Sequence, residues 1–181
     1  MSQSQIITYV KKLFEESCTE LFKSIGCNVT LMSDEEDEFL YDIPIASIDA
    51  GSQDVELIIC LQLTPNTLAR TYPVPDIAMP SDSKRVEDWQ SELSNQLIGR
   101  LKSKLIAHNC TLSLGLPITY YNTGKDDLFP ENSSKMSLFF NLDEETCACF
   151  ISIETFSEIV TFSFDKIEDA DISEPGAIDL F

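Results

Sequence analysis

The sequence predicts an α+β fold in which a mostly antiparallel sheet of about six strands carries two long helices. Two segments of roughly 20 residues or more repeat apolar side chains at helical spacing. Each is followed by short runs rich in β-branched and aromatic residues, which are typical of strands. The order helix, strand, strand, strand therefore occurs twice, which predicts internally duplicated halves related by pseudo-twofold symmetry.

The first half begins with a helix over residues 5–25, and Gly26 follows it as the expected stop. An acidic loop, "SDEEDE", separates the first two predicted strands, and Pro44 interrupts the second of them. Pro65 lies in the first turn of a short helix. The predicted strands are "CNVTLM", "FLYDIPIASID" and "VELIICLQL", and the short helix is "TPNTLART".

A proline-rich connector, "YPVPDIAMPSDS", joins the halves, and the second long helix follows it from about Lys84 to Ala107. The segment "CTLSLGLPITYY" is predicted as one strand and "NTGKDDLFPENSS" as a loop. The strands "KMSLFFNL" and "TCACFISIE" flank "DEE", and this arrangement predicts a hairpin.

The two halves align when Cys27 is placed over Cys110, at an offset of 83 residues. The apolar positions that then coincide are Ile6 with Trp89, Val10 with Leu93, Phe14 with Leu97, Cys18 with Leu101 and Phe22 with Leu105. We expect one domain over residues 1–164, with halves at about 5–72 and 84–164. The segment 165–181 has six acids and one lysine, so we expect a loosely attached acidic tail.

The formal net charge of -19 argues against binding to nucleic acids or anionic membranes, because the surface repels phosphates. It favours a basic protein partner instead. No apolar run approaches the roughly 20 residues that span a bilayer. The first residues also lack the basic-then-apolar layout of a signal peptide, so we expect a cytoplasmic protein.

The six cysteines include no C-x-x-C pair, and His108 is the only histidine. This composition argues against a Cys/His zinc site and against a Ser-His or Cys-His nucleophile. Most of the cysteines lie among apolar residues, and we expect them to be buried, reduced thiols.

One side of the second long helix is apolar and the opposite side is polar, at about 100° per residue. The apolar stripe consists of Trp89, Leu93, Leu97, Leu101 and Leu105. Glu92, Asn95, Gly99 and Ser103 fall on the opposite side, and Glu92 and Asn95 are neighbours there. Since a helical glycine costs about 1 kcal/mol relative to alanine, Gly99 indicates close approach by another molecule. Simple solvent exposure of this side stays open as the alternative.

The segment "ELSNQLIGRLKSKLIAHNCTLSLGLPITYYNTG" resembles the core of the CheX/CheC chemotaxis phosphatases. Their pattern is Glu-x-x-Asn-x-x-x-Gly on a long helix, followed by a strand ending near a Leu-Pro pair and by a later glycine. The matching residues are Glu92, Asn95, Gly99, Leu116, Pro117 and Gly124. The resemblance extends over about residues 5–155 and implies a CheC-like fold.

The resemblance implies hydrolysis of the aspartyl phosphate of a CheY-like response regulator, without a covalent intermediate and without a cofactor of the chain's own. Mg²⁺ and a lysine are expected on the partner. Asn95 is the expected orienter of the attacking water, because an amide both donates and accepts hydrogen bonds. Glu92 is expected to pair with the partner's lysine, so both are candidate catalytic residues. Gly99, Gln96 and Ser103 are candidate partner-binding residues.

Gln96 can also hold a water, but its helical angle lies nearer the core flank, so Asn95 is preferred. The first helix carries other residues at the positions equivalent to Glu92, Asn95 and Gly99. They are Tyr9, Lys12 and Glu16, which cannot repeat this chemistry. The chain therefore resembles the single-site CheX type, which is associated with homodimers.

Two alternatives to a phosphatase stay open. A module of the same fold could bind a response regulator or a motor component without hydrolysis, and the acidic loop and tail suit such a role. The chain could also be an unrelated structural adaptor whose helix face is merely solvated. The decay rate of a phosphorylated regulator separates the phosphatase from both.

Overall fold

A computed structural model of the chain describes residues 2–32, 43–73, 83–156 and 161–165. The helices in these ranges are α1 (Gln3–Ser24), α2 (Pro65–Thr71), α3 (Ser83–Ile106) and α4 (Lys125–Leu128). The strands are β1 (Val29–Leu31), β2 (Ile45–Gly51), β3 (Val55–Gln62), β4 (Ser113–Leu114), β5 (Ile118–Tyr120), β6 (Ser134–Leu142) and β7 (Glu145–Thr155).

The strands form one sheet in the order β1-β6-β7-β3-β2-β4, and β5 also pairs with β2. Every pairing is antiparallel. Because β4 and β5 both pair with β2, they form one interrupted strand. Counted in this way, the sheet order is symmetric: the third strands of the two halves, β7 and β3, pair at the centre, and their first strands lie at the edges. The predicted α+β class and the duplicated layout are confirmed.

Both ends of α1 follow from local side-chain and backbone chemistry. The Ser2 hydroxyl accepts a hydrogen bond from the Gln5 backbone N–H, while the Gln5 side chain accepts one from the Ser2 backbone N–H. At the other end Gly26 has φ of +84°, and the Cys27 N–H donates to the Phe22 carbonyl at 3.1 Å. This left-handed ending confirms Gly26 as the predicted stop.

The hairpin predicted around "DEE" is also confirmed. Leu142 and Glu145 are cross-strand partners, so Asp143 and Glu144 form a two-residue turn. Both turn residues have positive φ, 51° and 78°, as hairpin turns of this length require.

The segment predicted as one strand near the end of α3 is divided into β4 and β5. Its middle residues, 115–117, include Pro117, which has no N–H to donate to a strand ladder. The Gly115 N–H donates to the Asp49 carbonyl at 2.9 Å, and a Cβ at Gly115 would collide with the Asp49 side chain. The division gives seven strands where about six were predicted.

Two further differences concern turns and strand starts. The predicted loop after β5 contains the short helix α4, which begins directly after Gly124. The irregular strand predicted from residue 39 is described only from Ile45, directly after Pro44. The acidic loop "SDEEDE", most of the proline-rich connector and the chain after residue 165 lie outside the described residues.

The two long helices cover one face of the sheet. Their buried side chains form a single cluster with alternate residues of the central strands, such as Leu57 and Ile59 of β3 and Ile151 of β7. The intervening residues, such as Phe150, point to the other face of the sheet. There Leu128 and Phe129 pack against them and cover part of that face. α1 and α3 lie side by side on the face that they cover. The part of α3 that points away from the sheet therefore has α1 on one flank and the edge of the sheet on the other.

All six cysteines are buried and unpaired, as the sequence predicts. Burial raises the pKa of the Cys60 and Cys147 thiols to about 12, so both stay protonated at pH 8. We expect a thiol reagent such as Ellman's to find no fast-reacting cysteine in the native protein at pH 8, and all six after denaturation. Rapid labelling of the native protein at any cysteine would contradict this burial.

Candidate functional site

The candidate site lies on the side of α3 that points away from the sheet. We refer to this side as the outer face. It consists of Glu92, Asn95, Gln96, Gly99 and Ser103. On the opposite side Leu93, Leu97, Leu101 and Leu105 are 0% exposed, so the helical phase predicted from the apolar stripe is confirmed. Trp89, at its N-terminal end, is half-buried, and its indole N–H donates to Thr71 Oγ1 at 3.1 Å.

Asn95 is the exposed side chain of the outer face, while Glu92, Gln96, Gly99 and Ser103 are half-buried. At about 100° per residue, the four half-buried positions form one narrow stripe along the helix. Asn95 lies about 60° to the side of that stripe. The outer face is therefore only partly open to solvent, and of its two candidate catalytic residues Asn95 is the more accessible.

Two of the candidate residues contact each other directly. Nε2 of Gln96 donates a hydrogen bond to Oε1 of Glu92 at 3.0 Å, across one turn of the helix. Gln96 was predicted as a partner-binding residue, and its contact with Glu92 places both on the same stripe. The amide of Gln96 is thus engaged within the chain, whereas Asn95 is exposed beside it.

Gly99 leaves an open space on the outer face. A Cβ built on it would meet nothing within 4 Å beyond its own helix backbone, so internal packing does not require a glycine here. The Ser103 hydroxyl donates to the Gly99 carbonyl at 3.0 Å, one turn further on. The helix therefore carries a less favourable residue without any internal reason, in agreement with a surface shaped for close approach.

One flank of the outer face is formed by α1, which runs antiparallel to α3. Lys104 Nζ lies 2.7 Å from Glu20 and 3.7 Å from Glu16, and an Arg100 guanidinium N–H donates to Ser24 Oγ at 2.9 Å. A groove of about 410 Å³ runs between the helices, and Ser103 lies on its wall. This neighbour explains why Ser103 is half-buried, which its position opposite the core stripe did not predict.

The other flank is formed by the interrupted edge strand. Ser91 Oγ and Thr119 Oγ1 are 3.5 Å apart, and the Tyr121 hydroxyl donates to the Glu87 carboxylate. This hydrogen bond raises the pKa of Tyr121 to about 12. Four large apolar side chains of this strand and its end are exposed: Leu114 at 40%, Leu116 at 81%, Ile118 at 53% and Tyr121 at 50%. Leu116 and Ile118 line a pocket of about 160 Å³ with Ile58 and Leu128 on the other face of the sheet, so the family-like Leu116–Pro117 pair places its leucine side chain away from α3.

The equivalent positions of α1 are engaged in other contacts. The Tyr9 hydroxyl bonds to the ring of His108 at 3.0 Å, and Lys12 lies 4.0 Å from Glu16. Glu16 also faces Lys104 of α3. None of them presents a free amide, so the described residues of α1 do not repeat the outer face.

His108 has a structural role in the described part of the chain. Its side chain is 1% exposed, and its Nδ1 lies 2.9 Å from the Ser163 carbonyl, which can only accept a hydrogen bond. We therefore assign the proton to Nδ1, so Nε2 accepts from the Tyr9 hydroxyl. This buried pair joins α1, the end of α3 and the segment 161–165.

No cluster of three or more His, Cys, Asp or Glu side chains suited to a metal ion occurs within the ranges described above. We expect elemental analysis of protein purified without added ions to find no stoichiometric metal. One tightly held zinc per chain would contradict this expectation.

Sequence reasoning missed three features: the Gln96–Glu92 hydrogen bond and the Tyr121–Glu87 contact beside the outer face, and the exposed apolar side chains of the edge strand. The spacing of four residues between Glu92 and Gln96 could have indicated the first. The other two depend on which strand lies beside α3, and the sequence pattern alone does not give that order. Within the described helices, none has both the length and the apolar character that crossing a bilayer requires.

No family model matches the sequence, and no curated protein sequence matches it. Solved structures do match the fold. CheX from Vibrio vulnificus superposes with a TM-score of 0.64 at 12% identity, over 81% of this chain and 99% of that chain. CheX in a complex with CheY, BeF3 and Mg²⁺ from Borrelia burgdorferi gives 0.58 at 13% identity, over 79% and 96%. The FliM middle domain from H. pylori gives 0.54 at 10% identity, over 84% and 92%.

Structural matches at such low sequence identity establish the fold only. The activity has to be argued from the site. The resemblance read from the segment around α3 is confirmed at that level. The chain has the fold of the CheX/CheC-like chemotaxis proteins.

Proposed function

We propose that this protein is a phosphatase that hydrolyses the aspartyl phosphate of a CheY-like response regulator. The observation that carries the proposal is the exposed Asn95 amide beside a half-buried Glu92 on the outer face of α3, in a CheX/CheC-like fold. A solved structure of this fold is a complex of CheX with CheY, BeF3 and Mg²⁺. A CheY-like partner is therefore the first candidate for this chain.

In this proposal, Asn95 orients a water in line with the phosphorus atom. Its side-chain amide can accept from the water and donate to a phosphoryl oxygen or to a partner group. Phosphoryl transfer depends mainly on positioning and charge stabilisation, so a single well-placed amide is chemically sufficient on this side of the reaction. No covalent intermediate on this chain is needed.

In this proposal the partner supplies the charge stabilisation. The five residues that define the outer face are one acid, two amides, a glycine and a serine, and none of the five is a cation. A lysine and a Mg²⁺ ion on the regulator would supply positive charge to the phosphoryl group. Glu92 is an acceptor when ionised and would pair with that lysine, which fixes the register of docking.

The test is the decay of a phosphorylated CheY-like receiver domain with and without this protein. We expect catalytic amounts of the protein to accelerate loss of phosphate. A decay rate that stays unchanged, or slows, at saturating protein would reject the phosphatase and favour a binding module. The binding module has its own support, because the FliM middle domain shares the fold.

Two further parts of the proposal concern the assembly and its location. We propose a homodimer acting in the cytoplasm, as the resemblance to the single-site CheX type implies. Light scattering of the purified protein across a concentration series measures the oligomeric state directly, and a monomer at all concentrations would reject the homodimer.

A further inference from the structure

The hydrogen bond between Gln96 and Glu92 has a specific consequence for the outer face. It uses one carboxylate oxygen, Oε1, at 3.0 Å from the amide nitrogen. Within the described residues Glu92 has no ion-pair partner, and Lys104, on the flank that α1 forms, is paired with Glu16 and Glu20. The negative charge of Glu92 is therefore oriented by the chain without being neutralised by it.

An amide is well suited to this task. Gln96 is neutral, so its hydrogen bond reduces the rotamer freedom of Glu92 and leaves its charge and Oε2 available to an outside cation. A lysine at the same position would also reach Glu92, since residues four apart are neighbours on a helix, but it would cancel the charge. The residue type at position 96 therefore separates orientation from neutralisation.

We propose that Gln96 is a positioning residue that holds the Glu92 carboxylate ready for a cationic group on the docking protein. Gln96 itself takes no water and touches no reacting atom in this role. The inference rests on the proposed function and adds a division of labour to it: Asn95 acts on the water, and the Gln96–Glu92 pair acts on capture of the partner.

The test is a double-mutant cycle read out as the dissociation constant for a CheY-like receiver domain activated with BeF3⁻ and Mg²⁺. Gln96→Met keeps the length of the side chain and removes the donor. We expect it to weaken binding by about 3- to 10-fold, the range set by ordering one flexible side chain on association. Its turnover number at saturating regulator should change far less than its KM.

In a Glu92→Ala background the same Gln96→Met change is expected to alter binding by less than about 1.5-fold, because its target is gone. Gln96→Lys should bind more weakly than Gln96→Met, since it occupies and neutralises the carboxylate. Gln53→Met, an exposed glutamine in the turn between β2 and β3, is the matched control and should bind like the wild type.

Equal losses from Gln96→Met with and without Glu92, or no loss in either background, would overturn the positioning role. Failure of the proposed function gives a different result, because the wild type would then neither bind nor dephosphorylate any receiver domain tested. In that case NMR couplings of the Glu92 side chain test the orientation alone. We expect one rotamer in the wild type and averaging in Gln96→Met; averaging already in the wild type would overturn the inference.

Discussion

Replacing Asn95 by alanine is expected to slow aspartyl-phosphate hydrolysis on the order of 10²-fold while leaving the fold intact. The side chain is exposed on α3, and among the described residues it makes no hydrogen bond or ion pair. Its loss should therefore change the free energy of unfolding by about 0.5 kcal/mol or less. Its proposed task is to place one water, and that task disappears with the amide.

The measurement is loss of phosphate from a labelled regulator at saturating concentration, together with thermal melts of each variant. Asn132→Ala removes another exposed asparagine, in the loop before β6, and should keep the wild-type rate. If Gln96→Ala loses the turnover number while Asn95→Ala keeps it, the catalytic amide is Gln96. If neither substitution slows hydrolysis at saturation, the hydrolytic mechanism proposed for the outer face is wrong.

The helices and their buried sides could be predicted because burial repeats with the helical period. Leu93 and Leu97 fall on the apolar stripe from spacing alone, and both are fully buried. The hairpin could be predicted because two strand-like runs flank a short acidic turn. The duplication also followed from the order of elements, which the symmetric sheet then reproduces.

The remaining features depend on neighbours that are distant in the sequence. The division between β4 and β5 reflects Gly115 and its close contact with Asp49 of another strand. The half-burial of Ser103 depends on α1 lying beside α3. Neither contact is encoded in a local period, and of these features only Pro117, which also interrupts the strand, could have been recognised along the chain.

The site itself was predicted by a short motif and only in part by physics. Spacing placed Glu92 and Asn95 on one side of a helix, and the structure shows that side accessible at Asn95. What the residues do there came from the resemblance to CheX/CheC proteins, and the structural matches extend only to the fold. The role of each side chain therefore has to be tested by substitution.

Gly99→Arg is expected to abolish capture of the regulator and, at the same time, to stabilise the protein. The space at Gly99 is open, so an added side chain meets no other part of the chain within 4 Å of its Cβ. Arginine is a far better helix former than glycine, and the gain is about 0.5–1 kcal/mol. For a chain of this size, each kcal/mol of added stability raises the melting temperature by roughly 2–4 °C.

The bulk and charge of the arginine act against docking for two reasons. Its side chain would fill the space on the stripe between Gln96 and Ser103 that the glycine leaves open. It would also place a second cation near the one that Glu92 is proposed to receive, and such like-charge contacts cost several kcal/mol at an interface. We therefore expect binding to fall by more than about 10²-fold.

Gly99→Ala is the matched control, because it brings a similar gain in helix propensity with one methyl group instead of a long cation. It should melt at a higher temperature than the wild type and retain most of its binding to the BeF3⁻-activated receiver domain. The two variants together separate helix stability from surface shape, since both stabilise α3 and only one obstructs the outer face. If Gly99→Arg binds the receiver domain as tightly as the wild type, the partner docks elsewhere on the molecule. If Gly99→Ala is less stable than the wild type, the glycine has a structural role.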